Sequence, residues 1–167
     1  VVIASVGKVS ANARTLARRS VIYKGETVNT AANAKVSFKF TDGSVVTLKE
    51  NSSYMIKNYA FNKSSAPDTF DAHLIKGGLK TITGTIGKEA QHTQDAIEAG
   101  IPANQQVKVS HYKVKAAIAT IGVRGTTYKC LIDDTQNDDK LLVSALSGTV
   151  SAEFADNEQT LGDEGDA

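Results

Sequence analysis

Residues 35–48 read Lys35-Val36-Ser37-Phe38-Lys39-Phe40-Thr41-Asp42-Gly43-Ser44-Val45-Val46-Thr47-Leu48. Val36, Phe38 and Phe40 alternate with Lys35, Ser37, Lys39 and Thr41, which is the period of a strand with one buried face. Asp42-Gly43 is the dipeptide of a tight turn, and Val46 and Leu48 resume the apolar face beyond it. The stretch therefore predicts a hairpin of two strands, 35–41 and 44–49. Working outward, the same reasoning predicts strands at 20–23, 26–30, 53–59, 69–75, 79–83, 107–115, 117–123, 126–132, 140–146 and 148–154. Turn residues separate these runs at short intervals, the pattern of an all-β fold. Gly7, Gly25 and Gly43 stand 18 residues apart, a spacing that would suit the coils of a solenoid. Two architectures follow, a two-sheet sandwich or a flattened β-solenoid.

One segment breaks the β pattern. Lys88 to Gly100 is rich in helix formers, lacks β-branched density and ends on a glycine suited to a helix C-terminus. It predicts one short helical insertion, within 88–106, with too few apolar residues for a broad packing face.

At 167 residues the chain suits a single domain, 1–167, with room for a real core. Hydrophobic residues make up 41% and Trp is absent, so the core is expected to be aliphatic. No run approaches the roughly 18 apolar residues of a membrane-spanning helix. The sequence starts on Val1 rather than Met, which leads us to expect a cleaved secretory signal and an exported protein. Residues 1–6 form an apolar, strand-like run. Val1, Val2, Ile3 and Val6 are thus candidates for an edge strand, or for one exchanged between copies. Cys130 is the single cysteine and reads as a small buried hydrophobe.

The net charge of +1 conceals an asymmetry. Residues 1–50 carry eight Lys and Arg against three acidic residues, a net of +5, whereas residues 131–167 carry one Lys against ten acidic residues, a net of −9. Such ends could steer head-to-tail association, or could neutralise each other within one domain.

Patterns that carry chemistry are sparse. Gly84-Thr85-Ile86-Gly87-Lys88 lacks the leading glycine and trailing Ser or Thr of a phosphate loop. His73, His92 and His111 have no partner at catalytic spacing, and no nucleophile elbow occurs. Nothing has the spacing of a zinc site. The acidic loop at 133–139 lacks the central glycine and closing glutamate of a calcium hand. Arg14, Arg18 and Arg19 form too short a cluster, without aromatic residues, to predict nucleic-acid binding. We therefore expect no catalytic residue, no metal and no cofactor. Ala119-Thr120-Ile121-Gly122-Val123-Arg124-Gly125-Thr126-Thr127-Tyr128 is the remaining unusual segment. An arginine between two glycines in a strand predicts a backbone kink and a structurally pinned guanidinium.

These stretches together resemble the FecR domain family. The similarity begins at Tyr23 to Thr30 and continues through Ala34 to Leu48 with its Asp42-Gly43 turn. Tyr59-Ala60-Phe61 follows, then Lys76-Gly77-Gly78-Leu79-Lys80-Thr81-Ile82-Thr83-Gly84 and Ile86-Gly87-Lys88. Ala119 to Tyr128 and Val143 to Asp166 complete it. Gly77, Gly78, Asp42, Gly43, Gly122, Arg124 and Gly125 are its structural landmarks. The resemblance implies a bacterial, exported, non-catalytic β domain that contacts other proteins. In the family's best-known setting it is the envelope part of an anti-sigma regulator, signalled by a TonB-dependent transporter. That role needs parts beyond these 167 residues. Lys115-Ala116-Ala117-Ile118 stands where the family usually has Thr-Pro, and the stretch from Lys88 to Tyr112 is longer than usual. Our leading expectation is an extracellular interaction module that assembles with copies of itself by strand addition through residues 1–6. The alternative is an envelope signalling module that binds another envelope protein.

Overall fold

The computed structural model describes residues 1–62, 67–102, 110–117, 119–133, 140–154 and 157–161, with backbone alone at 123–126 and 157–161. Its strands are β1 (Val2–Val6), β2 (Val9–Ala11), β3 (Arg14–Thr15), β4 (Thr27–Thr30), β5 (Lys35–Lys39), β6 (Val45–Leu48) and β7 (Ser53–Ala60). They continue with β8 (Thr69–Lys76), β9 (Gly78–Ile82), β10 (His111–Ala116), β11 (Ala119–Asp133), β12 (Lys140–Phe154) and β13 (Asn157–Leu161). Among the described residues a single helix, α1 (Thr85–Glu98), separates β9 from β10. The all-β expectation with one short helix holds.

All of these strands join one 13-stranded sheet, in the order β1-β5-β6-β9-β11-β10-β8-β7-β4-β2-β3, with β12 on the far side of β11 and β13 beyond it. The 15-residue β11 is the seam. Its first residues pair with β10 and its later ones, from Thr127 to Leu131, pair with β9. The sheet therefore leaves β11 as two arms, one running to β1 and the other to β3. Aromatic contacts show that the arms curl face to face. Phe38 on β5 lies 6.0 Å from Tyr54 on β7, and Phe40, just past β5, lies 4.9 Å from Phe70 on β8. Phe70 in turn stacks on Tyr112 of β10 at 4.6 Å.

The buried core is mostly Val, Leu, Ile and Ala, as expected, and this row adds an aromatic strip to it. Tyr54, Tyr112, Tyr128, Phe38 and Phe70 are all buried. The alternation at 35–48 places Phe38 and Val46 inward, as the period demands, and the small aromatic fraction is concentrated there rather than spread over the surface. Large rings bury more apolar area per residue than aliphatic side chains, so a few of them can span the gap between two arms.

The hairpin over 35–48 forms, with Val36 opposite Leu48 and Phe38 opposite Val46. The predicted strand at 20–23 does not. Those residues make no ladder, and Val21 and Ile22 turn their side chains to a surface cleft instead. The runs at 117–123 and 126–132 merge into β11, and 140–146 and 148–154 merge into β12. Residues 107–109 and the acidic loop 134–139 lie outside the described residues. The 18-residue spacing reappears in the strands that start at Val9, Thr27 and Val45, each two residues after a glycine with positive φ. These strands do not stack as coils, because β2 and β4 pair antiparallel whereas β6 lies between β5 and β9.

The helix starts three residues before the predicted Lys88 and buries Ile86 and Gly87 in its first turn. It packs on β8, β10 and β11 rather than standing apart from the sheet. Its end is as expected. Gly100 has φ of 72°, its N–H donates to the Ile97 carbonyl, and the Ile101 N–H donates to the Ala96 carbonyl, a Schellman close.

Candidate functional site

Three places in the fold gather the residues singled out by the sequence. The first is a polar knot where the β5–β6 turn meets the start of α1. Gly84 precedes the helix and has no side chain to cap it, so the first N–H groups need acceptors from elsewhere. The Asp42-Gly43-Ser44 turn supplies them. The Gly84 N–H donates to Ser44 Oγ at 2.9 Å, the Thr85 N–H to the Asp42 carbonyl at 2.9 Å, and the Ile86 N–H to Asp42 Oδ2 at 3.4 Å. The same carboxylate accepts from the Ser44 N–H and the Ser44 hydroxyl at 3.1 and 2.7 Å. Asp42 is buried, and these donors replace the water it loses. A negative group at a helix N-terminus is also favoured by the aligned peptide dipoles. Gly84 is required here by space, because an added Cβ would run into the Asp42 carbonyl oxygen and the Ser44 nitrogen and stand 2.8 Å from the Gly43 carbonyl carbon.

The second place lies at the other end of the β6–β9 pair, where Leu48 stands opposite Leu79. Ser52 Oγ accepts from the Gly78 N–H at 2.9 Å and donates to the Gly78 carbonyl at 3.1 Å. Gly77 has φ of 78°, and a Cβ there would come within 2.6 Å of Ser52 Cα. Gly77 and Gly78 thus let one turn seat against another. Gly122 has a related role in β11, since a Cβ would approach Ser151 Oγ to 2.6 Å. The backbone at Arg124 pairs with Thr149, and the ladder slips between Arg124 and Thr127, which is the predicted kink. Gly125 lies on the β11 backbone within that slip, and the Arg124 side chain lies outside the described residues.

The third place is a cleft of about 410 Å³ beside the first knot. Val1 and Ile3 form one wall and Val21 and Ile22 another. Phe38, Phe40, Ile56 and Tyr59 form the floor, and Lys24, Lys39 and Thr41 complete the lining. Tyr59 joins cleft to knot. Its ring lines the cleft at 5.0 Å from Phe40, while its hydroxyl bonds Thr41 Oγ1 at 2.8 Å and accepts from the Asp42 N–H at 2.9 Å. Burial first, and the nearby Asp42 charge after it, push the Tyr59 phenol above its usual range.

The N-terminal candidates belong to this wall. β1 pairs with β5 of its own chain and ends the sheet path. Val2 is buried, whereas Val1, Ile3 and Val6 are exposed. The outer groups of Val2 are already engaged, its N–H with the Ser20 carbonyl and its carbonyl with the Arg19 N–H, at 2.9 and 2.8 Å. The β1–β5 ladder is also irregular between Val2 and Ala4. Both features blunt an edge against further strand addition.

The histidines are scattered, as predicted: His73 on β8, His92 on α1 and His111 at the start of β10. Among the described residues, no group of three or more His, Cys, Asp and Glu is placed to hold a metal ion. Cys130 is buried, and burial pushes its thiol up to about 12, which leaves almost no nucleophilic thiolate at neutral pH. No described helix is long and apolar enough to cross a membrane.

Sequence reasoning found the turn at Asp42-Gly43 but neither its partner at Gly84 nor the cleft. The knot closes over 40 residues of chain, so no local period announces it. The available signal was the recurrence of Asp42-Gly43-Ser44, Tyr59 and Gly84 among the family-like stretches.

Two crystal structures share this fold, at 1.65 and 2.50 Å resolution, of a protein from Parabacteroides distasonis ATCC 8503 provisionally described as an anti-sigma factor. Each aligns with a TM-score of 0.54 at 13% identity, over 82% of this chain and 51% of that one. The chain therefore spans about half the length of the protein it resembles. No curated protein matches it. Residues 26–151 match the family model described as FecR protein. That span holds the close glycine contacts at Gly77, Gly84 and Gly122, the seam strand and the helix, and covers well over half of the sequence, so the chain belongs to the FecR protein family.

Proposed function

We propose that this chain is a non-catalytic, exported signalling module of the FecR type, which binds another protein of the bacterial envelope. The observation that carries the reading is the family match over 26–151, together with the fold shared with the Parabacteroides anti-sigma protein. A TonB-dependent outer-membrane transporter is the partner that suits such a module. Its work is then recognition by surface and shape.

The test is binding of the purified chain to the periplasmic signalling domains of the transporters from the same cell, followed by calorimetry. A saturable one-to-one complex with one domain is expected. Failure of every domain to bind at about 100 μM, a range well above the affinity of specific contacts, would overturn the reading. Light scattering on the free chain tests the self-assembly alternative. The exposed flank of β1 and the opposite charge of the two ends favour that reading, and the blunted edge of β1 weighs against it. A monomer at all concentrations is expected.

A further inference from the structure

We propose that the cleft between β1, the segment 21–24 and the end of β5 is a binding site for a single-chain anionic amphiphile, a free long-chain carboxylate. This goes beyond the protein-partner reading and does not depend on it.

The volume comes first. About 410 Å³ lies within the range of small-molecule sites, roughly 300 to 1,000 Å³. It equals a dozen or so waters at about 30 Å³ each, and a methylene is of similar bulk. One alkyl chain of moderate length fits, and the two chains of a membrane lipid do not.

The lining then decides the chemistry. Its walls and floor are aliphatic and aromatic, and its polar groups are already spoken for. The Thr41 and Tyr59 hydroxyls bond one another and Asp42. The backbone groups of Val1 and Lys39 bond each other, at 2.8 and 2.9 Å. A peptide seated here would bury N–H and C=O groups with nothing to receive them, at a cost of about 1–3 kcal/mol each. An alkyl chain asks for no hydrogen bond and gains from leaving water.

The charge comes last. The lining holds Lys24 and Lys39 and no Asp or Glu. Neither lysine forms a salt bridge among the described residues, where the ion pair is that of Arg14 with Glu26. Lysine stems can lie along an apolar wall and keep the ammonium in water. Two uncompensated cations beside an apolar slot suit a ligand with a greasy body and a negative head. Val21 and Ile3 are 45% and 42% exposed, an apolar surface that such a chain would cover.

The test uses the whole chain and defined probes. Dodecanoate and dodecyltrimethylammonium, of equal chain length and opposite charge, are titrated by calorimetry below their micelle-forming concentrations. Dodecanoate is expected to bind one-to-one and about tenfold or more tightly than the cation, with octanoate weaker than dodecanoate. Val21→Trp fills the slot from an exposed position and should abolish binding. The double variant Lys24→Glu/Lys39→Glu should reverse the preference between the two probes, and Lys24→Arg/Lys39→Arg should restore it. Phosphatidylglycerol vesicles serve as the lipid-surface arm and should not retain the protein. Equal binding of the two probes, full dodecanoate affinity in the charge-reversed variant, or retention by vesicles alone would each overturn the proposal.

Discussion

The knot at Asp42 and Gly84 and the cleft beside it share Tyr59 and Thr41 yet differ in every physical respect. In the knot each polar group has a partner inside the chain and there is no space, not even for a methyl group at Gly84. In the cleft the apolar walls at Val1, Ile3 and Val21 are exposed, two cations stand unpaired among the described residues, and there is room. The knot is built of residues within the span that matches the family. The cleft's walls are Val1, Ile3, Val21 and Ile22, which lie before the matched span. The matched span therefore holds both the knot and the floor of the cleft, while the cleft's outer walls come from residues that precede it.

If this contrast is right, the two regions must answer mutation in opposite ways. The largest effect is expected from Gly84→Ala. The added Cβ meets backbone of residues 42–44 rather than a flexible side chain, so the turn or the helix must move. Overpacking of this kind costs typically about 1–3 kcal/mol, occasionally more, and we expect the upper end. In a domain of this size a loss of about 3 kcal/mol lowers Tm by about 6–12 °C, which circular dichroism would read directly. A Tm within about 2 °C of the parent would mean that the knot is looser than its geometry.

Asp42→Ala comes next. It leaves the Ser44 N–H, the Ser44 hydroxyl and the Ile86 N–H without their acceptor. Each buried group left unsatisfied costs about 1–3 kcal/mol, reduced where water enters the vacated space, so about 2–3 kcal/mol is expected overall. Asp42→Asn sharpens the point. Its amide keeps one acceptor but turns a donor toward groups that also donate, so an intermediate loss is expected. If the asparagine variant equals the parent, the carboxylate charge at the helix start is not what matters.

Substitutions in the cleft should barely register in stability. Val21 and Lys24 are exposed, and surface changes away from special features usually stay within about 0.5 kcal/mol. Lys24→Glu should therefore melt with the parent while altering whatever the cleft binds. A large drop in its Tm would show that the lysine has a structural role, and the contrast would fail on that side.

The division also explains what could be read in the sequence. The hairpin at 35–48 was legible because alternation and turn chemistry are local and the two strands are neighbours in the chain. Gly100 was legible for the same reason, since a helix end needs only its own last turn. Gly84 was not, because its requirement is set by a turn 40 residues away. Nor were Val21 and Ile22. Their β-branched side chains favour a strand, but the open groups of Val2 take their hydrogen bonds from Arg19 and Ser20 and hold the segment as a plug beside β1. The single long strand at 119–133 also escaped, because Gly122 and Gly125 read as breaks, whereas Gly122 keeps its place in the ladder opposite Ser151 and the irregularity after Arg124 takes up Gly125.

The smallest effect tests a region that belongs to neither side. His73 sits on β8 between Met55 and Lys115 on the neighbouring strands. Partial burial lowers its pKa below the usual 6.5, and the Lys57 and Lys115 charges lower it further, while Asp71 acts weakly the other way. A base whose pKa is depressed by folding binds its proton more readily in the unfolded chain. Above about pH 6.5 both states are neutral at this residue and it costs nothing. As pH falls below that value the unfolded chain takes up the proton first, so the fold loses stability until the folded-state pKa is passed. His73→Gln should therefore melt more like the parent at pH 8 than at pH 5, with the variant the more stable of the two in acid. The group is substantially exposed, so solvent screens the effect and a shift smaller than those of the knot variants is expected. An unchanged difference between variant and parent across pH 5 to 8 would mean that His73 titrates alike in both states.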